Sequence, residues 1–142
     1  MGFKIQQLSV FLENRAGELA DLTGVLSKES VSIKSILLAD SSDFGLVRAI
    51  VDNPQKAKAV LEDAGFSVKL TDVFAVEIDD YIGSFNEVTE TLAKNGINIL
   101  YTYSFYESNK GVFIFSVNDI AKAVEALENK SIKIVPAKHF YV

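Results

Sequence analysis

Apolar and polar positions alternate through residues 4–12, which places Leu8, Val10 and Leu12 on one side of a strand facing a core. Beyond the polar run Glu13-Asn14-Arg15 the period changes. Leu19, Leu22 and Leu26 recur at helical spacing and predict a helix over about 16–28. A second strand follows over about 31–38, and a turn at Asp40-Ser41-Ser42-Asp43 leads into a third over 45–51. Asn53-Pro54 offers a cap and a first helical residue to a second helix. Its inner face is Ala57, Val60, Leu61 and Ala64, Gly65 ends it, and a strand at 66–70 closes the series.

The series then repeats. A strand over 73–79 carries Phe74, Val76 and Ile78 inward, and a helix over 83–94 ends at Asn95-Gly96. Strands over 97–106 and 111–117 are joined by the polar turn Glu107-Ser108-Asn109-Lys110. Asn118 or Asp119 caps a fourth helix, a strand at about 131–135 precedes Pro136, and His139-Phe140-Tyr141-Val142 is read as a short terminal strand. The offset between Gly17 and Gly83 is 83 − 17 = 66, and it holds without a gap: residues 7–76 set against 73–142 give 15 identities in 70 pairs. A period this long fits a duplicated small domain better than a solenoid repeat. The expected division is 1–71 and 72–142.

Each copy reads strand, helix, strand, strand, helix, strand. Right-handed crossovers turn that order into a ferredoxin-like βαββαβ unit, a four-stranded antiparallel sheet with two helices on one face, so the fold class is α+β. A copy of about 70 residues buries only about 60–65% of its extended surface, and the two copies are expected to pack together. Tyr101, Tyr103, Phe113 and Phe115 read as a contiguous apolar patch, from which a homodimer or higher homo-oligomer is expected.

Composition narrows the function. A net charge of −5 and a pI near 4.9 argue against a general binder of phosphate backbones. There is no cysteine for a disulfide, a thiol nucleophile or a thiolate metal site. No apolar run reaches the length of a membrane span, and the first residues lack the apolar core of a signal peptide. A cytoplasmic location is expected. Catalysis has little to work with. His139 is the single histidine, near the end of the chain, and no Ser-His-Asp set assembles around it. Asp79 and Asp80 are adjacent on a strand end and point to opposite faces, so they read as solvated rather than as a metal or acid–base pair. Neither a Gly-x-Gly-x-x-Gly fingerprint nor a phosphate loop is present, and neither enzyme activity nor a cofactor is expected.

One feature does point to binding. Glu13-Asn14-Arg15-Ala16-Gly17-Glu18-Leu19 takes the chain from a strand through a glycine straight into a helix, and Asp79-Asp80-Tyr81-Ile82-Gly83-Ser84-Phe85 repeats the device. Helical N–H groups at such a corner, with the positive end of the helix dipole, favour an anion. The bland alternative is that Gly17 and Gly83 serve only tight turning. RNA recognition is a second alternative, because RNA-binding domains share the element order and Lys110-Gly111-Val112-Phe113-Ile114-Phe115 partly matches their third-strand motif, in the wrong register.

Each copy resembles an ACT domain, a ferredoxin-like regulatory module that binds amino acids, and the likeness spans the chain as a tandem pair. The residues that carry it are Asn14-Arg15-Ala16-Gly17 with Leu19, Asp80-Tyr81-Ile82-Gly83 with Phe85, Asn98-Ile99, and more loosely Ser32-Ile33. Neither copy keeps the proline usual in the loop. The resemblance implies a non-catalytic sensor or regulator in which loop N–H groups hold a ligand carboxylate. Asn14 and residues of a neighbouring second strand would hold its ammonium and side chain, near a domain interface. The implied partners are a free amino acid and a regulated enzyme; a pure assembly module without ligand is the alternative. The first loop is the expected site, since Asp80 repels a carboxylate, Arg15 attracts one and Ile82 crowds Gly83.

Overall fold

The computed structural model describes residues 2–40 and 44–142, so Ser41-Ser42-Asp43 of the first predicted turn lies outside the described residues. By compactness the chain divides into two units, Gln6–Thr71 with Phe140–Val142, and residues 2–5 with Asp72–His139.

The first unit holds β1 (Ile5–Glu13), α1 (Glu18–Lys28), β2 (Ile33–Asp40), β3 (Phe44–Val51), α2 (Pro54–Asp63) and the opening of β4 (Ser67–Ile78). Pairing is antiparallel: on β1, Leu8 faces Ala49 and Glu13 faces Phe44 of β3, while β2 pairs with β3 from Ile33/Val51 to Asp40/Gly45. Alternation puts Leu8, Val10, Leu12, Val47, Ala49 and Val51 on one face, and Leu22, Leu26, Ala57 and Leu61 from the two helices bury against it. Burial of each large side chain contributes about 1.5–3 kcal/mol. Helix α1 starts two residues later than its apolar period predicts. Gly17 sits at φ 91 and Glu18 N–H donates to Arg15 O, so residues 15–17 form a turn rather than a first helical turn.

The second unit repeats the arrangement with the rest of β4, α3 (Ser84–Lys94), β5 (Ile99–Glu107), β6 (Lys110–Val117), α4 (Ile120–Glu128) and β7 (Ile134–Val135). β4 pairs antiparallel with β6 and β7, and β5 pairs with β6. Phe74, Val76, Ile78, Phe115 and Val117 meet Val88, Leu92, Ala123, Val124 and Leu127 in its core. Ser108 and Asn109, at φ 50 and 64, close the β5–β6 hairpin as a two-residue turn whose twist suits the strands.

Three expectations change. The strands read at 66–70 and 73–79 are one continuous strand, because Thr71-Asp72 contains no glycine or proline to interrupt the extended backbone. The strand read at 131–135 shrinks to Ile134–Val135, and no strand forms over 139–142. Ser131 is held at φ 59, Pro136 has no N–H for the ladder, and residues Ala137–His139 form a 3-10 turn with Ala137 N–H donating to Gly2 O at 2.6 Å. The aromatic patch also dissolves. Tyr101 stands opposite Ser116 and Tyr103 opposite Ile114, so the tyrosines share a face with Ile114 and not with Phe113 and Phe115. Phe113 and Phe115 instead stack with Phe85 under the helices, at 4.8 and 6.2 Å between ring centroids. On the tyrosine face Val112, Ile114 and Ala75 are already buried within the chain. The four aromatics therefore do not form one contiguous patch.

Candidate functional site

The two helices that follow the strand-to-helix corners differ from the other two at their first residue. α2 is capped by Asn53, whose Oδ1 accepts from Lys56 N–H at 3.1 Å, and α4 by Asp119, whose Oδ1 accepts from Lys122 N–H at 3.0 Å. α1 and α3 begin on Gly17 and Gly83, at φ 91 and 93, and neither receives a side-chain cap. A Cβ built on either glycine would meet nothing within 4 Å. The glycines therefore serve the left-handed turn and leave the approach open. The Ile82 side chain beside Gly83 is fully exposed.

The charges at the first corner are already organised. Arg15 Nε lies 3.3 Å from Glu13 Oε2 and its Nη2 donates to Glu18 Oε2 at 3.1 Å. Glu18 Oε1 also accepts the Glu13 N–H at 3.2 Å. Arg15 is thus shared between two carboxylates instead of standing as a free cation, which corrects the simple charge argument for this loop. Asn14, Ala16 and Gly17 are exposed, and Leu19 packs on the core. At the second corner Asp79, Asp80, Tyr81 and Ile82 are exposed, and Lys110 Nζ lies 3.5 Å from Asp79 Oδ1. The Tyr81 hydroxyl donates to Glu87 Oε2 at 2.9 Å; that bond, then burial, then the charges of Glu87 and Asp79 raise its pKa above the usual 10.0.

Ser32, Ile33, Asn98 and Ile99 are not brought to the corner of their own unit. The ladders place Ile33 beside Val51 and Ile99 beside Val117, whereas the corners adjoin Phe44 and Gly111, about 20–25 Å away along the strands. Ser32 and Asn98 do share a local role: each N–H donates to a side chain just past the end of β3 or β6, Ser32 to Asp52 Oδ1 at 2.9 Å and Asn98 to Asn118 Oδ1 at 3.0 Å.

Beside each corner lies a groove between the first helix of the unit and the turn from its second helix to its last strand. The first has a volume of about 950 Å³ and reaches from Glu13, Arg15 and Glu18 past Asp21 and Gly24 to Lys28, with Phe11 and Phe66 in its wall. In the repeat the corresponding space is divided in two, about 200 Å³ beside Glu77, Ser84 and Lys133 and about 270 Å³ beside Glu90, Thr91 and Lys94. Lys133 and Glu77 pair at 3.4 Å there, where the first unit has Ser67 and Phe11. Nothing in the strand-to-helix motif marks Phe11, Gly24 or Phe66. The available signal was Phe11 itself, an aromatic residue on the outward phase of an alternating strand. Among the described residues no group of three or more His, Asp or Glu could hold a metal ion, and no helix is long and apolar enough to cross a membrane.

An α+β chain with two antiparallel ferredoxin-like copies, each opening its first helix on an uncapped left-handed glycine, defines a tandem module of regulatory type. The chain belongs to the ACT domain pair family, whose model matches residues 3–141. It is similar over 98% of its length, and 96% of the other chain, to the crystal structure of protein BT0572 from Bacteroides thetaiotaomicron, with 34% identity and a TM-score of 0.93. The ligand-free regulatory subunit of aspartate kinase from Thermus thermophilus shares the fold at 16% identity and a TM-score of 0.66, over 89% of this chain and 93% of that one. Aspartate kinase from Synechocystis shares it at 20% identity and a TM-score of 0.65, over 96% of this chain and 27% of the enzyme. No curated protein matches the sequence.

Proposed function

We propose that this protein is a non-catalytic amino-acid sensor, built of two complete ferredoxin-like ACT units divided near residues 71 and 72, that binds its ligand at the β1–α1 corner of the first unit. The observation that carries the reading is the contrast in capping: α2 and α4 each give one first-turn N–H to a capping side chain, while α1 and α3 begin on left-handed glycines with open space around them and no side-chain cap. A ligand carboxylate at that position accepts N–H groups that no side chain caps and lies at the positive end of the helix dipole. Asn14, exposed beside Gly17, offers both a donor and an acceptor.

The first corner is favoured over the second on two grounds. Asp79 and Asp80 put two exposed carboxylates at the second corner, and the Lys133–Glu77 pair occupies the groove beside it. Glu13 and Glu18 hold Arg15 in place at the first, so a ligand carboxylate entering there competes with Glu18 for the guanidinium. The family and the fold shared with aspartate kinase regulatory subunits support a regulatory role, with an enzyme as the partner that responds. Equilibrium dialysis against a pool of the twenty amino acids tests the reading. One amino acid, or a small related group, should accumulate on the protein side, and Gly17→Asp should abolish the enrichment; an even distribution across the membrane would leave the assembly reading in its place.

A further inference from the structure

We infer that the groove of the first unit selects an amino acid with a bulky apolar side chain, and that Phe11 is the residue that sets this preference. The inference rests on the proposed binding at the first corner and adds the chemical class of the ligand. The duplication supplies the comparison. At positions 66 residues apart the two units carry different side chains along this space. Phe11 in the first corresponds to Glu77 in the second, Ala64 to Lys130 and Ser67 to Lys133. In the second unit Lys133 reaches Glu77 at 3.4 Å and Tyr81 reaches Glu87 at 2.9 Å, and the remaining space is divided into about 200 and 270 Å³. In the first unit the ion pairs of Arg15 with Glu13 and Glu18 stay at the corner, Phe11 and Ser67 stand in place of the Glu77–Lys133 pair, and about 950 Å³ stays open, within the range of small-molecule sites.

Phe11 is 47% exposed in that wall, with its ring edge-on to Phe44 at 5.4 Å between centroids. The fold does not need it there, because the core of the unit is filled from the other face of β1 by Leu8, Val10 and Leu12. An apolar ligand side chain would bury the exposed ring and gain what the folded protein alone leaves in water. The rim carries both signs of charge, Arg15 and Lys28 against Glu13, Glu18 and Asp21, which complements a zwitterion better than an ion of one sign.

Calorimetry on the full chain with L-phenylalanine, L-leucine, glycine, L-lysine and L-aspartate tests this, alongside Phe11→Glu and Phe11→Leu. L-Phenylalanine or L-leucine should bind tightest, with glycine about a hundredfold weaker or undetected. Phe11→Glu should cost about tenfold or more for the apolar ligand, and Phe11→Leu should retain most of the affinity. Circular dichroism melting separates loss of fold from loss of binding, and an exposed position should leave the midpoint nearly unchanged. Tightest binding of lysine, aspartate or glycine, or equal affinity in wild type and a folded Phe11→Glu, would overturn the inference while leaving the sensor reading intact. If none of the twenty amino acids binds wild type, the sensor reading fails and this inference falls with it.

Discussion

Two glycines on the same helix should respond to alanine in opposite directions. Gly17 precedes α1 at φ 91, and Gly24 lies inside it; a Cβ added at either meets nothing within 4 Å. Steric clash is therefore removed from both, and only backbone preference remains. At Gly17 an L-residue is forced into the left-handed region, which costs about 1–2 kcal/mol. At Gly24 alanine fits the helix and restricts the unfolded chain, which stabilises by about 0.5–1 kcal/mol. For a chain of this length each kcal/mol moves the melting midpoint by about 3 °C. Gly17→Ala should then melt about 3–6 °C below wild type and Gly24→Ala about 2–3 °C above it. Calorimetric melting of the ligand-free protein measures both. A neutral Gly17→Ala would refute the left-handed turn at the corner and with it the geometry from which the binding site is argued.

The remaining predictions concern caps, turns and one phenol. Asn53→Ala should lose about 1 kcal/mol of stability because Asn53 caps α2. Asn14→Ala, at an exposed loop, should leave the melting midpoint in place and weaken ligand binding by about 1–3 kcal/mol in calorimetry. The repeat alternates residues at its left-handed helix ends, with Gly65 matched by Ser131 at φ 59, so Ser131→Gly should raise the midpoint by about 1–3 °C. Tyr81 has a raised pKa because its hydroxyl donates to Glu87, so its contribution to stability is present below pH 10 and lost as pH rises through the raised value. Tyr81→Phe should remove that alkaline loss in melting runs, and an unchanged pH profile would assign it to another group.

Much of the fold was legible because its signals are local and occur twice. The 66-residue offset identifies the duplication, the change of period separates strands from helices, Asn53-Pro54 marks a real cap, and of Asn118 and Asp119 it is Asp119 that caps α4. The failures came where a tertiary fact decides. Strand alternation in β5 and β6 does not say which phase meets the helices, so the sequence alone does not separate Tyr101 and Tyr103 from Phe113 and Phe115 as the register does. Arg15 read as a free charge because the sequence does not reveal that Glu18 folds back onto the end of β1. The groove was not legible at all, since it joins α1 to residues 64–67, far along the chain. Ser32-Ile33 and Asn98-Ile99 entered by resemblance alone, and within each unit they lie at the end of the strands away from the corner.

The central claim, that the first corner binds a free amino acid, is tested most directly by the melting midpoint of the intact protein with each of the twenty amino acids. A ligand that binds only the folded state, at a hundred times its dissociation constant, adds about 2.7 kcal/mol. That corresponds to a rise of about 5–10 °C for a chain of this length. The account predicts such a rise for one amino acid or a small related group, and its disappearance in Gly17→Asp but not in Gly83→Asp. Twenty midpoints within about one degree of the unliganded protein, or a shift lost in Gly83→Asp and kept in Gly17→Asp, would contradict it.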